Sequence, residues 1–461
     1  IGFTDDNSAV YMIDSRGRDK AALTRVDIAS KESTVLAASD QADISEILTD
    51  PETNEPVAYS VNYLKSSWYH LTPAAETDLA AIAAQLDGSL SIVSTTRDMS
   101  RWIVHEDSTD KPGAYYLYDR ASGSVEPMVV TRPALANYEL APMQATVIRA
   151  RDGLDLVSYV TLPPGSDADG DGRPESPLPM VLAVHGGPWA RDTFGYHPWH
   201  QWLANRGYAV LSVNYRGSTG FGKAFTRAAI REFSGKMHDD LIDGVNWAIG
   251  EGIADADKVS IAGGSYGGYA TLIGVSFTPD TFACGVDIVG PSSLVTLIES
   301  FPEYWKPFLA GTWYTYVGDP ENEEDRADML ARSAISRIDD ITVPLLVGQG
   351  ENDPRVTKQE SDQLVEAMAA KEQQVTYVNF PDEGHGFARP ENRLAFYAVM
   401  EGFLAQCLGG RSENVGEAFE GSTIEVLHGG SYLSYIPMSE QETQQETEPA
   451  GEAAQPEPDD A

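Results

Sequence analysis

Basic residues are scarce in this chain: 32 lysines and arginines stand against 70 aspartates and glutamates, a formal charge of −38 over 461 residues. A field of that sign repels nucleic-acid phosphates and anionic membrane surfaces, so neither is an expected partner. It would attract cationic peptides, although solubility is the simpler use of the charge. Long apolar runs are missing as well. No window approaches the roughly 18 to 20 uninterrupted apolar residues of a membrane-spanning helix, so no membrane insertion is expected. Cysteine is limited to Cys284 and Cys407, too few for a disulfide scaffold. Each lies in an apolar run and reads as a small buried hydrophobe, with a pairing between the two left open. The chain starts at Ile1 without Met, a basic n-region or an apolar h-region. That start reads as something other than a natural translation start, and it leaves a soluble protein's compartment, cytoplasmic or periplasmic, open. No Walker loop or dinucleotide fingerprint is found, so no cofactor is expected.

Two domains are expected from the length. Residues 1–140 read as short strands separated by turn clusters, for example Ala9 to Ile13, Ala22 to Asp27, Trp102 to Glu106 and Tyr115 to Asp119. Val26-Asp27-Ile28-Ala29-Ser30-Lys31 resembles Tyr118-Asp119-Arg120-Ala121-Ser122-Gly123, and the two aspartates are 92 positions apart. That is about twice the 40 to 45 residues of a propeller blade. About three blades would fit, fewer than the four or more that close a propeller, so earlier blades are expected to be missing. A small β-sandwich is the alternative.

Over residues 145–410 apolar strands alternate with amphipathic helices, the pattern of a doubly wound, mostly parallel α/β sheet covered on both faces. Strands are expected at Met180 to Val184, Ala209 to Asn214, Val259 to Ala262, Gly285 to Val289, Pro344 to Val347 and Val375 to Phe380. Residues 411–438 read as a carboxy-terminal extension. Residues 439–461, rich in Glu, Gln, Pro and Ala, read as a disordered acidic tail.

The strongest motif is Gly263-Gly264-Ser265-Tyr266-Gly267-Gly268, which follows a strand and opens a helix. That context is what a nucleophile elbow of an α/β-hydrolase requires. Small residues two before and two after the serine let neighbouring backbone pass closely, and the helix amino terminus favours developing negative charge. Serine needs a base to take its proton. In this fold the acid and then the histidine follow the serine along the chain. Asp353, after the strand ending at Val347, and His385, after the strand ending at Phe380, fit that order, and both occupy loops at carboxyl ends of strands. Glu351, Asp382 and Glu383 are rival acids nearby; Asp353 is preferred. Oxyanion donors are expected from the backbone N–H groups of Gly187, in His185-Gly186-Gly187-Pro188, and of Tyr266. His185 itself reads as a loop brace.

Two other patterns carry less. Asp167-Ala168-Asp169-Gly170-Asp171-Gly172 opens like a calcium loop, but its twelfth position is Leu178 where a bidentate glutamate is needed, so no metal site is assigned. His197 and His200 have no acidic partner arranged as in metalloprotease helices.

At these residues the chain resembles the prolyl oligopeptidase family of serine peptidases, in particular its acylaminoacyl-peptidase and dipeptidyl-peptidase-like bacterial members. The matching runs are H-G-G-P-W-A-R-D at His185 to Asp192, N-Y-R-G-S-T-G-F-G at Asn214 to Gly222, G-G-S-Y-G-G at Gly263 to Gly268, N-D-P-R at Asn352 to Arg355 and D-E-G-H-G-F at Asp382 to Phe387. The resemblance implies a hydrolase domain capped by a β-propeller that filters substrates to oligopeptides. It also implies that Arg355 anchors a substrate carbonyl, and that the segment with Leu294, Leu297 and Phe301 builds an S1 pocket for a medium apolar side chain. The paired cap glutamates of the dipeptidyl peptidases are not found in this sequence, which puts strict dipeptide release in doubt. A carboxylesterase with the same triad and an inert binding module are the competing readings. Homo-oligomerisation is left open.

Overall fold

The computed structural model describes residues 2–431; the expected acidic tail lies outside them. The amino-terminal part forms three antiparallel sheets. The first holds β1 (Gly2–Phe3), β2 (Ala9–Asp14), β3 (Ala22–Asp27) and β4 (Ser33–Ala37). The second holds β5 (Ile44–Thr49), β6 (Pro56–Asn62) and β7 (Ser66–His70), and the third β8 (Ser89–Thr95), β9 (Arg101–Asp107), β10 (Ala114–Asp119) and β11 (Ser124–Val130). In each sheet the strands pair in chain order. Strand β9 shows why: Trp102, Val104 and Glu106 are buried while their neighbours are more exposed, the period of two that a one-sided sheet imposes.

The D-x-x-S likeness seen in the sequence is a turn device. Asp27 Oδ1 accepts the N–H groups of Ala29 and Ser30 between β3 and β4, and Asp119 Oδ1 those of Ala121 and Ser122 between β10 and β11. Asp50 does the same for Glu52 and Thr53 between β5 and β6, an instance the sequence pattern did not reveal.

One element in this part differs from the all-strand expectation. Helix α1 (Pro73–Ala83) lies between the second and third sheets. Thr72 caps it, Pro73 sits at its first turn, and its Ala-rich body is good helix sequence. Its buried Asp78 accepts hydrogen bonds from Tyr118 Oη at 2.9 Å and from Arg120, tying the helix to the third sheet.

Nine strands make the main sheet: β12 (Met143–Arg149), β13 (Asp155–Thr161), β14 (Leu178–Val184), β15 (Ala209–Val213), β16 (Ala254–Gly264), β17 (Cys284–Ile288), β18 (Leu345–Gly350), β19 (Val375–Phe380) and β20 (Glu425–His428). Their spatial order is β12-β13-β15-β14-β16-β17-β18-β19-β20, with β15 through β19 parallel. Strand β20 falls beyond the expected boundary at residue 410. The segment read as an extension therefore supplies an antiparallel edge strand to the hydrolase sheet. Helices α2 (Pro198–Asn205), α3 (Lys236–Gly250), α4 (Tyr266–Phe277), α5 (Leu294–Glu299), α6 (Gln359–Ala369) and α7 (Pro390–Leu408) pack around the sheet. The central strands are buried along their whole length, so their continuous apolar runs face a core on each side.

Cys284 of β17 and Cys407 of α7 form a disulfide. The reading of the two as separate buried thiols is thereby corrected: the helix that closes the domain crosses the sheet where β17 begins, a proximity that residues 123 apart in sequence do not advertise.

The two parts meet along a polar seam. The carbonyls of Asn62 and Tyr63, in the β6–β7 turn, accept Arg191 Nη1 and Nη2 at 2.7 and 2.9 Å, and the next carbonyl, Leu64, accepts Tyr159 Oη at 3.1 Å. Asp43 accepts from Gly222 N–H, Asp19 from Ala224 N–H and Asp107 from Tyr196 N–H.

Candidate active site

The parallel strands run outward in both directions from β14 and β16, and the crevice at such a reversal is where open α/β sheets place ligands. The loops after both strands carry candidate residues. After β16 the chain turns sharply into α4 through Ser265, whose φ is +58° and ψ −116°. A side chain rarely adopts that region, and it is held here because Ser265 N–H donates to Ile288 O at 2.9 Å. The turn needs glycine on both sides. A Cβ on Gly263 would lie 2.6 Å, and one on Gly267 2.2 Å, from the carbonyl oxygen of Val184 at the end of β14.

Asp353 and His385 come together from the loops after β18 and β19. Asp353 Oδ2 and His385 Nδ1 are 2.7 Å apart, and the Asp353 side chain is wholly buried. The other carboxylate oxygen accepts the N–H groups of Arg355 at 2.8 Å and Val356 at 3.0 Å, which fixes the carboxylate plane. With Nδ1 engaged, Nε2 is the nitrogen left to exchange a proton. The rival acids are committed elsewhere. Glu383 accepts the N–H groups of Ala388 and Arg389, Asp382 pairs with Arg389 and Thr423, and Glu351 accepts from Asn379.

Ser265 and His385 line one cavity of about 330 Å³, together with Gly187, Tyr266, Arg355, Leu294, Leu297 and Phe301. All of the residues expected at the site except Asp353, which lies behind His385, border this space. Leu294 and Leu297 project from α5, whereas Phe301 follows the helix end. Arg355 forms no ion pair among the described residues. Gly187, at φ +124°, stands where a Cβ would meet Trp189 N at 2.7 Å. His185 braces this loop: Nδ1 lies 2.8 Å from Gly186 O, Nε2 2.9 Å from Ser218 Oγ, and the ring stacks on Tyr215.

Sequence reasoning missed six of the fourteen residues that line the cavity. Phe233, Tyr269, Pro291, Trp305, Trp313 and Val356 also line it. Phe233 lies edge-on to Tyr266 at 5.0 Å, and Phe301 to Trp313 at 4.9 Å, so the wall is an interlocked aromatic cluster. The density of Trp and Tyr from Trp305 to Tyr316 was the available signal. Behind the wall, burial holds the Asp287 carboxyl well above the carboxylate range. Its Oδ1 accepts Gly290 N–H at 2.9 Å and blocks any side chain at Gly268.

The remaining motifs lie apart from this cavity. His197 caps α2, and His200 is buried between Thr161 and Ser212. Asp167, Asp169 and Asp171 cluster within 4.8 Å of one another on an exposed loop. No described helix is long and apolar enough to cross a membrane.

Comparison with known proteins agrees with this architecture. Residues 196–411 match the family model described as Prolyl oligopeptidase family. A dipeptidyl aminopeptidase BIII of Pseudoxanthomonas mexicana is 52% identical over 425 residues, 92% of this chain and 62% of the relative. Dipeptidyl peptidase family member 6 of Caenorhabditis elegans is 40% identical over 90% of this chain and 58% of its own length. Among solved structures, a puromycin-hydrolyzing peptidase of Mycobacterium tuberculosis superposes with a TM-score of 0.71 at 21% identity, covering 88% of this chain and 61% of that one. An acylaminoacyl peptidase of Pyrococcus horikoshii gives 0.68 at 19% identity, covering 90% and 64%. The chain thus spans about three fifths of the length of these relatives. The fold is part of a β-propeller followed by an α/β-hydrolase domain. The stretch matched by the family model encloses Ser265, Asp353 and His385, so the likeness to the prolyl oligopeptidase family spans all three of these residues.

Proposed function

We propose that this chain is a serine peptidase that hydrolyses oligopeptides through an acyl-enzyme, with Ser265 as nucleophile, His385 as base and Asp353 as its orienting acid. The observation that carries the proposal is the 2.7 Å Asp353–His385 hydrogen bond at the edge of the cavity that Ser265 also lines. His385 Nε2 takes the Ser265 proton as Oγ attacks the substrate carbonyl, and then returns it to the leaving amine. The developing oxyanion is held by the N–H groups of Gly187 and Tyr266, and by the positive end of α4. Arg355 offers a planar multi-donor fork to a backbone carbonyl of the peptide. Leu294, Leu297 and Phe301, with the aromatic wall, receive an apolar P1 side chain. The cavity's 330 Å³ and its aromatic lining accommodate a larger P1 group than the medium one expected from the sequence. The Cys284–Cys407 disulfide favours the exported alternative, because such bonds persist in oxidising compartments.

Three assays test this reading. A fluorophosphonate probe should label the wild-type chain and not a folded Ser265→Ala variant; absence of labelling in folded wild type would leave an inert binding module. Peptidyl-p-nitroanilides with Phe, Leu, Ala or Asp at P1 should be cleaved in an order favouring Phe and Leu. Turnover of short p-nitrophenyl esters with no cleavage of any amide would make the protein a carboxylesterase. A peptide library read by mass spectrometry separates dipeptide release from internal cleavage.

A further inference from the structure

Gly187 and Arg191 lie four residues apart in the loop after β14, and the loop is pinned on both sides. Trp189 packs edge-on against Trp313 at 5.4 Å and Tyr316 at 5.1 Å, on the side of the aromatic wall. Ala190 O accepts Thr219 N–H at 2.8 Å, and Asp192 N–H donates to Asn214 Oδ1 at 2.8 Å. The remaining support comes from outside the hydrolase sheet. Arg191 sends Nη1 to Asn62 O at 2.7 Å and Nη2 to Tyr63 O at 2.9 Å, while Nε donates to Asp192 O at 3.2 Å. Its guanidinium lies 4.2 Å over the Phe221 ring and makes no ion pair among the described residues. A half-buried guanidinium whose fork is spent on two successive carbonyls, with Asp192 and Asp43 near enough to act on its charge but not in ion-pair contact, marks a position chosen for geometry. The same turn is fixed again by Tyr159 Oη on Leu64 O, and by Lys65 Nζ 4.1 Å over the Phe194 ring.

We propose that Arg191 is a positioning residue through which the β6–β7 turn of the propeller part holds the Gly187 loop in the shape that stabilises the oxyanion. The inference rests on the peptidase reading above and adds a requirement to it: full transition-state stabilisation needs the propeller turn docked on this loop. Substrate binding in the aromatic cavity does not need that contact. Loss of the clamp therefore lowers kcat and leaves KM nearly unchanged.

The test uses the 461-residue chain and two readouts that depend on the same donors: kcat and KM on a peptidyl-p-nitroanilide, and the second-order rate of inactivation by a fluorophosphonate. Arg191→Ala should lower kcat and the inactivation rate by about tenfold or more, with KM within about threefold. Arg191→Lys should stay low, because one ammonium cannot serve two carbonyls as a fork does. Added guanidinium ion should recover part of the alanine variant's rate. Tyr159→Phe, which removes the bond to Leu64 and the hydroxyl beside the guanidinium but keeps the Arg191 fork, should lower both rates by a smaller factor. A folded Arg191→Ala variant that melts earlier yet keeps both rates within about twofold overturns the inference and leaves Arg191 a merely structural residue. Should that variant fail to fold, wild-type rates in both Arg191→Lys and Tyr159→Phe overturn it equally. A wild-type chain that does not react with the probe sinks the peptidase reading itself, an outcome distinct from variants that react as fast as wild type.

Discussion

Val184 O sets a limit on what can stand beside Ser265. Because a Cβ at position 267 would come within 2.2 Å of that carbonyl, Gly267→Ala has to push β14 away from the elbow. The expected cost is about 3 kcal/mol or more, seen as a fall in Tm. Gly264→Ala is the control: its nearest neighbour would be Ile288 O at 3.7 Å, so its Tm should stay close to wild type. A second residue governs acid stability. Burial, with a smaller contribution from Arg151, lowers the His238 pKa from 6.5 to about 4, and its Nδ1 has no partner. Between those two pH values the unfolded chain binds the proton and the folded chain does not, so stability falls as pH drops through that window and is unaffected above it. At pH 4 the loss approaches about 3 kcal/mol for this one group. Burial lowers the pKa values of His197 and His200 as well, in the same sense. Thermal melts at several pH values should therefore show an acid limb, and His238→Gln should flatten part of it. An unchanged limb would show that other groups control it.

The disulfide acts between elements, joining α7 to β17 across the sheet. Cys284→Ala with Cys407→Ala, or reduction, should cost about 2 to 5 kcal/mol by releasing the unfolded chain from a long loop. The Asp353–His385 contact lies elsewhere and should survive, so the variant should label with fluorophosphonate at the wild-type rate at temperatures below its Tm. Labelling lost together with the bridge would mean that α7 also positions the His385 loop. The contrast between these elements explains what could be read from the sequence. Gly263 to Gly268 after a strand, and single residues at the ends of β18 and β19, are local patterns with a fixed chain order, so the convergence of their loops was legible. The partner of Cys284 is not local, and neither is the wall built from Phe233, Tyr269 and Trp313. No spacing rule links those residues; only the packing of helices on the sheet brings them together. Helix α1 was hidden by the strand-rich segments around it, and β20 by the short, mixed sequence that an edge strand can have.

At the scale of the whole chain, charge dominates. With a net charge of −38, self-repulsion opposes the compact state, and the same field would draw in cationic peptides. Raising NaCl from about 0.05 to about 0.5 M should raise Tm, and should lower kcat/KM for a peptide rich in Lys and Arg while sparing a neutral one. Equal salt responses for the two peptides would show that the field does not reach the site. The seam between the two parts adds to this picture, since Asp19, Asp43 and Asp107 spend their carboxylates on backbone N–H groups across it. The Cys284–Cys407 bridge has a further outcome at this scale. It closes a covalent ring that contains Asp353, His385 and the protruding Tyr304 and Phe308, and that leaves Ser265 outside. A single proteolytic nick at that protrusion would give two fragments that migrate as one species until a reductant separates them. Until the bridge is reduced, the histidine and its acid would remain tethered to the strand beside the nucleophile.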